Sequence, residues 1–97
     1  MRVIARRTLR EFWVKYPDAE EPLQAWYREA LHAKWTSPHV IKEQYRSASV
    51  LQSGRVVFNI AGNKYRLVVK IEYSPGIVYI RFIGTHRQYD RINVETV

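Results

Sequence analysis

The alternation of apolar and polar residues between residues 55 and 83 is the strongest constraint on the fold. Three runs in this segment change character at every second residue, which is the period of a β-strand and not of a helix. Ala61-Gly62-Asn63 separates the first two runs and Ser74-Pro75-Gly76 separates the last two, and both triplets have the composition of tight turns. The segment therefore predicts a meander of three antiparallel strands.

The same alternation sorts the side chains of the meander onto two faces. One face is predicted to be apolar, and its members are Val56, Phe58, Ile60, Tyr65, Leu67, Val69, Ile71, Tyr73, Val78, Ile80 and Phe82. The other face is predicted to carry Lys64, Arg66, Val68, Lys70, Glu72, Tyr79, Arg81 and Ile83. We expect Asn59 beside Lys64, Arg66 and Arg81 on this second face. Strand cations that point away from a core are suited to binding phosphate groups.

The first half of the chain has helical periodicity instead. A short strand, possibly at a sheet edge, is predicted at residues 2–5, and Thr8 is predicted to cap the first helix. The apolar stripe of that helix is Leu9, Phe12, Trp13 and Tyr16. A second helix is predicted to begin at residue 18 or 20, with the stripe Leu23, Trp26, Tyr27, Ala30, Leu31 and Trp35. Ser37-Pro38 is predicted to begin a further short helix or turn, and residues 47–54 a loop.

These elements predict an α+β fold, in which an N-terminal strand and two helices pack on an antiparallel sheet that ends in the meander. With 97 residues and no repeat or linker, the chain is expected to form one domain spanning residues 1–97. The three tryptophans follow helical spacings, so we expect them in the core.

Composition narrows the class of function. The net charge of +7 predicts a polyanionic partner, namely nucleic acid, an acidic membrane surface or an acidic protein. The chain has no cysteine, and its three histidines are scattered without the spacing of a zinc site. No apolar run of about 18 residues and no secretory signal occur, so a cytoplasmic protein is expected, with no cofactor and no metal.

Two runs resemble a known family. FNIAGNKYRLVVKI and YIRFIGTHRQYDRI, together with the opening IARRTLREFWVKYPDAE, are similar to HigB-type mRNA interferase toxins of the RelE-like superfamily. The most specific pieces are residues 62–67 and residues 84–86 followed by Tyr89-Asp90. The resemblance implies a RelE-like, microbial-RNase-like fold. It also implies a toxin of a type II toxin–antitoxin system, a ribosome-dependent and metal-independent endoribonuclease that cleaves translated mRNA and inhibits translation.

The resemblance also implies partners and site residues. The partners would be mRNA on the ribosome and a HigA-like antitoxin with a helix-turn-helix domain, and the chain would reach operator DNA only through that antitoxin. Arg66 and His86 match the superfamily's basic strand residue and the basic or histidine residue after the last strand. With Tyr89 they form the predicted catalytic set. The predicted RNA-binding residues are Asn63, Lys64, Arg81 and Arg87.

The chemistry of RNA cleavage is compatible with these residue types. A 2′-hydroxyl that attacks the adjacent phosphate must lose a proton, the phosphate charge must be stabilised, and the leaving 5′-oxygen must gain a proton. A guanidinium such as Arg66 can bind two phosphate oxygens. An imidazole such as His86 can transfer protons near neutral pH. Tyr89 can stack on a base or take part in proton transfer.

Two other functions are compatible with the same residues. The basic face could belong to a non-catalytic RNA- or ribosome-binding module, in which Arg66 and His86 would affect only affinity. It could also dock an acidic protein partner, in which case RNA binding would be weak. A third possibility is that Arg66 is only a solvated strand arginine and His86 only a surface histidine, with no functional role.

Overall fold

The computed structural model describes residues 1–97. The strands are β1 (Arg2–Ile4), β2 (Ser49–Val50), β3 (Arg55–Ile60), β4 (Tyr65–Glu72) and β5 (Ile77–Thr85). The helices are α1 (Arg6–Lys15), α2 (Glu20–His32), α3 (Pro38–Gln44) and the single turn α4 (His86–Tyr89), with a 3₁₀ turn at Pro17–Ala19 between α1 and α2. The predicted α+β class is confirmed. No helix is both long enough and apolar enough to span a lipid bilayer.

All five strands form one sheet in the order β1-β5-β4-β3-β2. Strands β3, β4 and β5 form the predicted antiparallel meander. The predicted N-terminal strand is present at one edge, and it runs parallel to β5, so the sheet is mixed. At the other edge, residues 49 and 50 pair with β3 as strand β2, although the sequence there predicted only a loop. The segment 47–54 is mostly small and polar and gave no strand signal, and the open edge of β3 supplies the pairing.

The helices cover one face of the sheet and bury their apolar stripes against it. The buried helical residues are Leu9, Phe12, Trp13, Leu23, Trp26, Ala30 and Ile41. Trp35, just beyond α2, is also buried and packs on Phe58, with ring centroids 5.9 Å apart. The prediction that all three tryptophans lie in the core is therefore confirmed. Leu31 is 40% exposed, because it lies one residue round the helix from the buried Ala30.

The start of α1 differs from the prediction. Thr8 does not cap the helix; its backbone N–H donates to the carbonyl of Ala5 at 3.1 Å. Ala5 therefore occupies the N-cap position, without a side-chain hydrogen bond. Strand β1 passes almost directly into the helix, which begins two residues before Thr8. The side chain of Thr8 thus lies inside the first turn.

A β-bulge in β5 changes which side chains face the helices. Val69 pairs with Ile80 whereas Val68 pairs with Phe82, so Arg81 is the extra residue in β5. An extra residue reverses the alternation beyond it. Ile83 consequently packs against the core, and Phe82 lies on the opposite face. The predicted sides of these two residues were wrong for this reason.

The face away from the helices, here called the outer face, is partly covered by the end of the chain. The guanidinium of Arg55 donates to the backbone oxygen of Val97 through Nε at 3.3 Å and Nη2 at 2.9 Å. Arg81 Nε donates to the same oxygen at 3.2 Å. Val57 and Val68, which lie on this face, are buried. Helix α4 borders the outer face near Arg66.

Candidate active site

Arg66 is the centre of the candidate site. It lies on the outer face of β4, where it pairs with Asn59 of β3 on one side and with Gly84 of β5 on the other. Its Nη1 donates a hydrogen bond to Oδ1 of Asn59. Asn59 Nδ2 in turn donates to the carbonyl of Ser47 at 3.2 Å. The guanidinium is therefore held by a neutral amide, and no carboxylate is paired with it.

Helix α4 brings the other two predicted catalytic residues to the end of β5. Thr85 caps this turn: its Oγ1 accepts from the backbone N–H of Gln88 at 3.2 Å. The Gln88 side chain accepts from the backbone N–H of Thr85 at 2.9 Å, which completes a capping box. His86 is the first residue of the turn and Tyr89 the last. The three-residue spacing of His86 and Tyr89 therefore spans one helical turn.

Tyr89 and Arg66 are in direct proximity. The guanidinium carbon of Arg66 lies 5.7 Å from the centre of the Tyr89 ring, within the range of a cation–π interaction. The ring also lies 6.4 Å from that of Phe82, at 53° to it. Phe82 reaches this position only because the bulge turned it outwards. The structure thus brings together two of the three predicted catalytic side chains and adds an aromatic neighbour.

Two polar atoms in this region are buried without a hydrogen-bond partner. They are Nε of Arg66 and Nε2 of His86. Buried polar atoms are normally paired, so an unpaired one calls for an explanation. Two further such atoms, in Trp26 and Tyr73, belong to other parts of the molecule. A cation with a free donor and an imidazole with a free nitrogen are the groups needed to stabilise a phosphate and to move a proton.

Gly84 makes this packing possible. A Cβ atom on Gly84 would lie 2.5 Å from Cζ of Phe82 and 2.8 Å from Oε1 of Gln88. Both distances are too short for a real contact. The absence of a side chain therefore lets Phe82 and the capping box of α4 approach the strand opposite Arg66. The sequence signal that could have identified Gly84 is its position inside a strand, because a glycine there often marks a place where another group closely approaches the backbone.

Lys64 is not beside Arg66, and its predicted place on the outer face was wrong. It precedes β4 and forms an ion pair with Asp18, in the 3₁₀ turn on the helical side. The Tyr65 hydroxyl donates to the same carboxylate. These bonds hold the pKa of Asp18 below its usual value, with the Lys64 bond the larger cause. The bond to Asp18, with burial, raises the pKa of Tyr65 to about 12.

The other predicted RNA-binding residues are spread around the sheet. Arg81 is exposed at the bulge, and its hydrogen bond to Val97 directs it towards Arg55 and away from Arg66. Asn63 is exposed in the turn before β4, and Arg87 is exposed on α4 next to His86. Of the four, only Arg87 belongs to an element of the candidate site. No group of three or more side chains of the metal-ligating types is clustered in the molecule.

Comparisons with known proteins identify a matching family and similar sequences. The family model for the RelE-like toxic component of a toxin–antitoxin system, HigB_toxin, matches residues 19–92. The mRNA interferase toxin HigB of Escherichia coli K12 is 27% identical over 92 residues, which cover 93% of this chain and 88% of the relative. The proteins named mRNA interferase HigB from Escherichia coli O157:H7 and Shigella flexneri match to the same extent. The matched residues include the whole of the candidate site.

Proposed function

The chain belongs to the HigB family of RelE-like toxins of toxin–antitoxin systems, and from this premise we propose that it is an mRNA interferase, a toxin that cleaves translated mRNA on the ribosome without a metal ion. Residues 1–97 are proposed to act as one toxin domain in the cytoplasm. The observation that carries the proposal is the placement of Arg66 between Asn59 and Tyr89, on the strand adjoining the one from which α4 and His86 extend.

The proposed reaction is an internal transfer within the RNA. The 2′-oxygen loses its proton and bonds to the adjacent phosphorus, the bond from phosphorus to the 5′-oxygen breaks, and that oxygen takes up a proton. Arg66 stabilises the charge that develops on the phosphate oxygens, through donors that no carboxylate neutralises. His86 transfers a proton, and Tyr89 stacks on a base. No redox partner or cofactor is needed to balance this step.

The RNA-binding surface is proposed to extend from this centre. Arg87 is next to His86 and is exposed, so it is suited to contact a phosphate of the bound mRNA. Asn63 and Lys64 lie at the turn before Arg66, and Arg81 lies three residues before Gly84 in β5. The net charge of +7 favours association with ribosomal and messenger RNA. The proposed protein partner is a HigA-like antitoxin with a helix-turn-helix domain, which would bring the toxin to operator DNA.

The direct test maps mRNA ends on ribosomes after brief induction in growing cells, and repeats the assay with purified toxin, ribosomes and a defined mRNA. New ends are expected with the wild-type chain on translated mRNA and not on the same RNA without ribosomes. Arg66→Ala should lower the single-turnover cleavage rate by roughly 10²–10³-fold, since it removes one charge-stabilising donor. His86→Gln should lower it by about 10²–10⁴-fold while ribosome binding is kept.

The outcomes separate the alternatives. Ribosome binding without new mRNA ends would support a non-catalytic RNA- or ribosome-binding module instead. A folded Arg66→Ala variant with full cleavage activity would contradict the role of Arg66. Metal independence has its own test, in which one non-bridging phosphate oxygen at the scissile bond is replaced by sulfur. If a thiophilic cation restores a rate that the sulfur has lowered, a metal ion contacts that phosphate.

A further inference from the structure

Asn59 is the one side chain that fixes Arg66 by a hydrogen bond, and it lies outside the most specific pieces of the family resemblance and outside the predicted site residues. Arginine nitrogens only donate and backbone carbonyls only accept. The contacts with Arg66 and Ser47 therefore determine which end of the Asn59 amide is which: the oxygen faces Arg66 and the nitrogen faces Ser47. The amide is clamped at both ends, between β4 and the segment that leads into β2.

The neutrality of this contact is the feature that bears on catalysis. A carboxylate at position 59 would hold a guanidinium at least as firmly, because charge-assisted hydrogen bonds are stronger than neutral ones. It would also cancel the charge that a phosphate needs. The amide orients Arg66 on one side and the Tyr89 ring supports it on the other, and neither removes its charge.

We infer that Asn59 is a positioning residue for cleavage, which holds the guanidinium of Arg66 in its reactive orientation without neutralising it. The inference rests on the proposed function, since Arg66 is the group it serves. It assigns a role to Ser47 as well: the carbonyl of Ser47 anchors the amide, so the short edge strand β2 contributes to the site through its entry segment.

The experiment measures single-turnover cleavage by Asn59→Ala with ribosomes and mRNA. The rate at saturating toxin should fall by about 10–100-fold, because a displacement of a catalytic group by about 1 Å can cost as much as 10²-fold in rate. The toxin concentration that gives half-saturation should change little, because the charge of Arg66 remains. Gln24→Ala is the matched control: it removes an amide that hydrogen-bonds to Glu20 on the helical side, and it should leave the rate unchanged.

A double-mutant cycle separates positioning from a general structural role. Adding Asn59→Ala to Arg66→Ala should cause no further loss of rate, since Asn59 acts through the group that has been removed. Equal losses in the two backgrounds, or an unchanged rate in Asn59→Ala alone, would overturn the inference. If Asn59→Ala proves too unstable, Asn59→Thr provides a β-branched residue that suits a strand and also lacks the amide.

A second readout does not depend on cleavage. In the wild-type chain the Arg66 guanidinium should show restricted rotation by nitrogen-15 NMR, and in Asn59→Ala it should rotate freely. Asn59→Asp should keep the guanidinium ordered and still lose activity, because order is preserved while charge is cancelled. If the wild-type chain cleaves no mRNA, the proposed function fails, and the NMR comparison still decides whether Asn59 holds Arg66. An Arg66 side chain that is equally ordered in Asn59→Ala would refute the positioning role.

Discussion

Arg66 and Tyr89 show how single residues define the candidate site. They are separated by 23 positions in the sequence, yet the guanidinium carbon lies 5.7 Å from the centre of the aromatic ring. A guanidinium over a ring gains about 0.5–1 kcal/mol at an exposed site and more when it is desolvated. The tyrosine therefore has two candidate roles: it supports Arg66, and it offers a surface on which an RNA base can stack.

Two substitutions at Tyr89 separate its ring from its hydroxyl. Tyr89→Phe keeps the ring, the contact with Arg66 and the capacity to stack, so it should retain most cleavage activity. Tyr89→Ala removes all three, and since stacking on an aromatic side chain contributes about 1–3 kcal/mol per base, activity should fall by about 10–100-fold. Single-turnover rates on ribosomes give the comparison. Equal and severe losses in both variants, with both folded, would assign a chemical role to the hydroxyl.

At the scale of secondary-structure elements, α4 is a turn of four residues that depends on its surroundings. An isolated helix this short does not form in water, since nucleation is unfavourable. Its capping box and its packing over Gly84 hold it in place. The positions of His86 and Tyr89 are thus fixed by residues that touch no substrate.

Gly84→Ala tests this dependence. The added Cβ would displace Phe82 and the Gln88 side chain, so overpacking should lower the free energy of unfolding by about 1–3 kcal/mol. We expect a larger effect on cleavage, because α4 must move. Denaturant unfolding and single-turnover cleavage, measured on the same samples, check both effects.

Gly76→Ala is the matched control for that change. Gly76 has a positive φ of 73°, so alanine there is strained, and the added Cβ meets only Met1 Sδ at 3.8 Å. The turn lies at the start of β5, whereas α4 follows its end. It should therefore lose a similar amount of stability and little activity. If both variants lose activity in proportion to stability, α4 is not specifically linked to Gly84.

At the scale of the whole molecule, the network of Asp18, Lys64 and Tyr65 joins the helical layer to the sheet. It ties the 3₁₀ turn after α1 to the start of β4. The Tyr65 ring also packs against Phe12 and Tyr16, with centroids 5.2 Å and 5.6 Å away. Because Arg66 follows Tyr65 directly, this network fixes the start of β4, the strand that carries Arg66.

The network predicts how stability depends on pH at the alkaline end. The pKa of Tyr65 is about 12 in the folded state and near 10 in an unfolded chain, so folding favours the neutral phenol. The stabilisation is fully present below pH 10 and is lost as the pH rises towards about 12. Tyr65→Phe should be less stable at neutral pH, and its unfolding free energy should fall less steeply over that interval.

Urea unfolding at several pH values measures this slope. Tyr27→Phe is the control, since it removes a hydroxyl and keeps the ring that lies 5.2 Å from the Arg6 guanidinium carbon. An alkaline slope that is identical in the wild-type chain and Tyr65→Phe would refute the link. At the acid end the sign is reversed: the lowered pKa of Asp18 adds stability above its usual value of 3.8, and this is lost as the pH falls through the folded-state pKa.

The sequence by itself determined the meander, the N-terminal strand, the two longer helices and most of the core. A period of two predicted β3, β4 and β5, and a period near 3.6 predicted the buried stripes of α1 and α2, because side-chain burial repeats with the local backbone geometry. The residues of the turns determined where the strands end. The most specific pieces of the HigB resemblance were residues 62–67, 84–86 and 89–90. Each piece is continuous in the chain, so it can be recognised without a structure.

Only the tertiary structure decided which side chains meet. The bulge at Arg81 reversed the faces on which Phe82 and Ile83 lie. The residue types in β5 do not predict this extra residue, because a bulge depends on the pairing with β4. Lys64 forms an ion pair with Asp18, which is 46 positions away in the sequence, and does not lie beside Arg66. Asn59 was expected on the same face as Arg66, but the register of β3 and β4 decided that the two residues lie directly opposite each other and form a hydrogen bond. Local periodicity predicts the face on which a residue lies as long as the strand is regular. Bulges, which reverse that face, and contacts across the sheet depend on pairing and packing between distant segments.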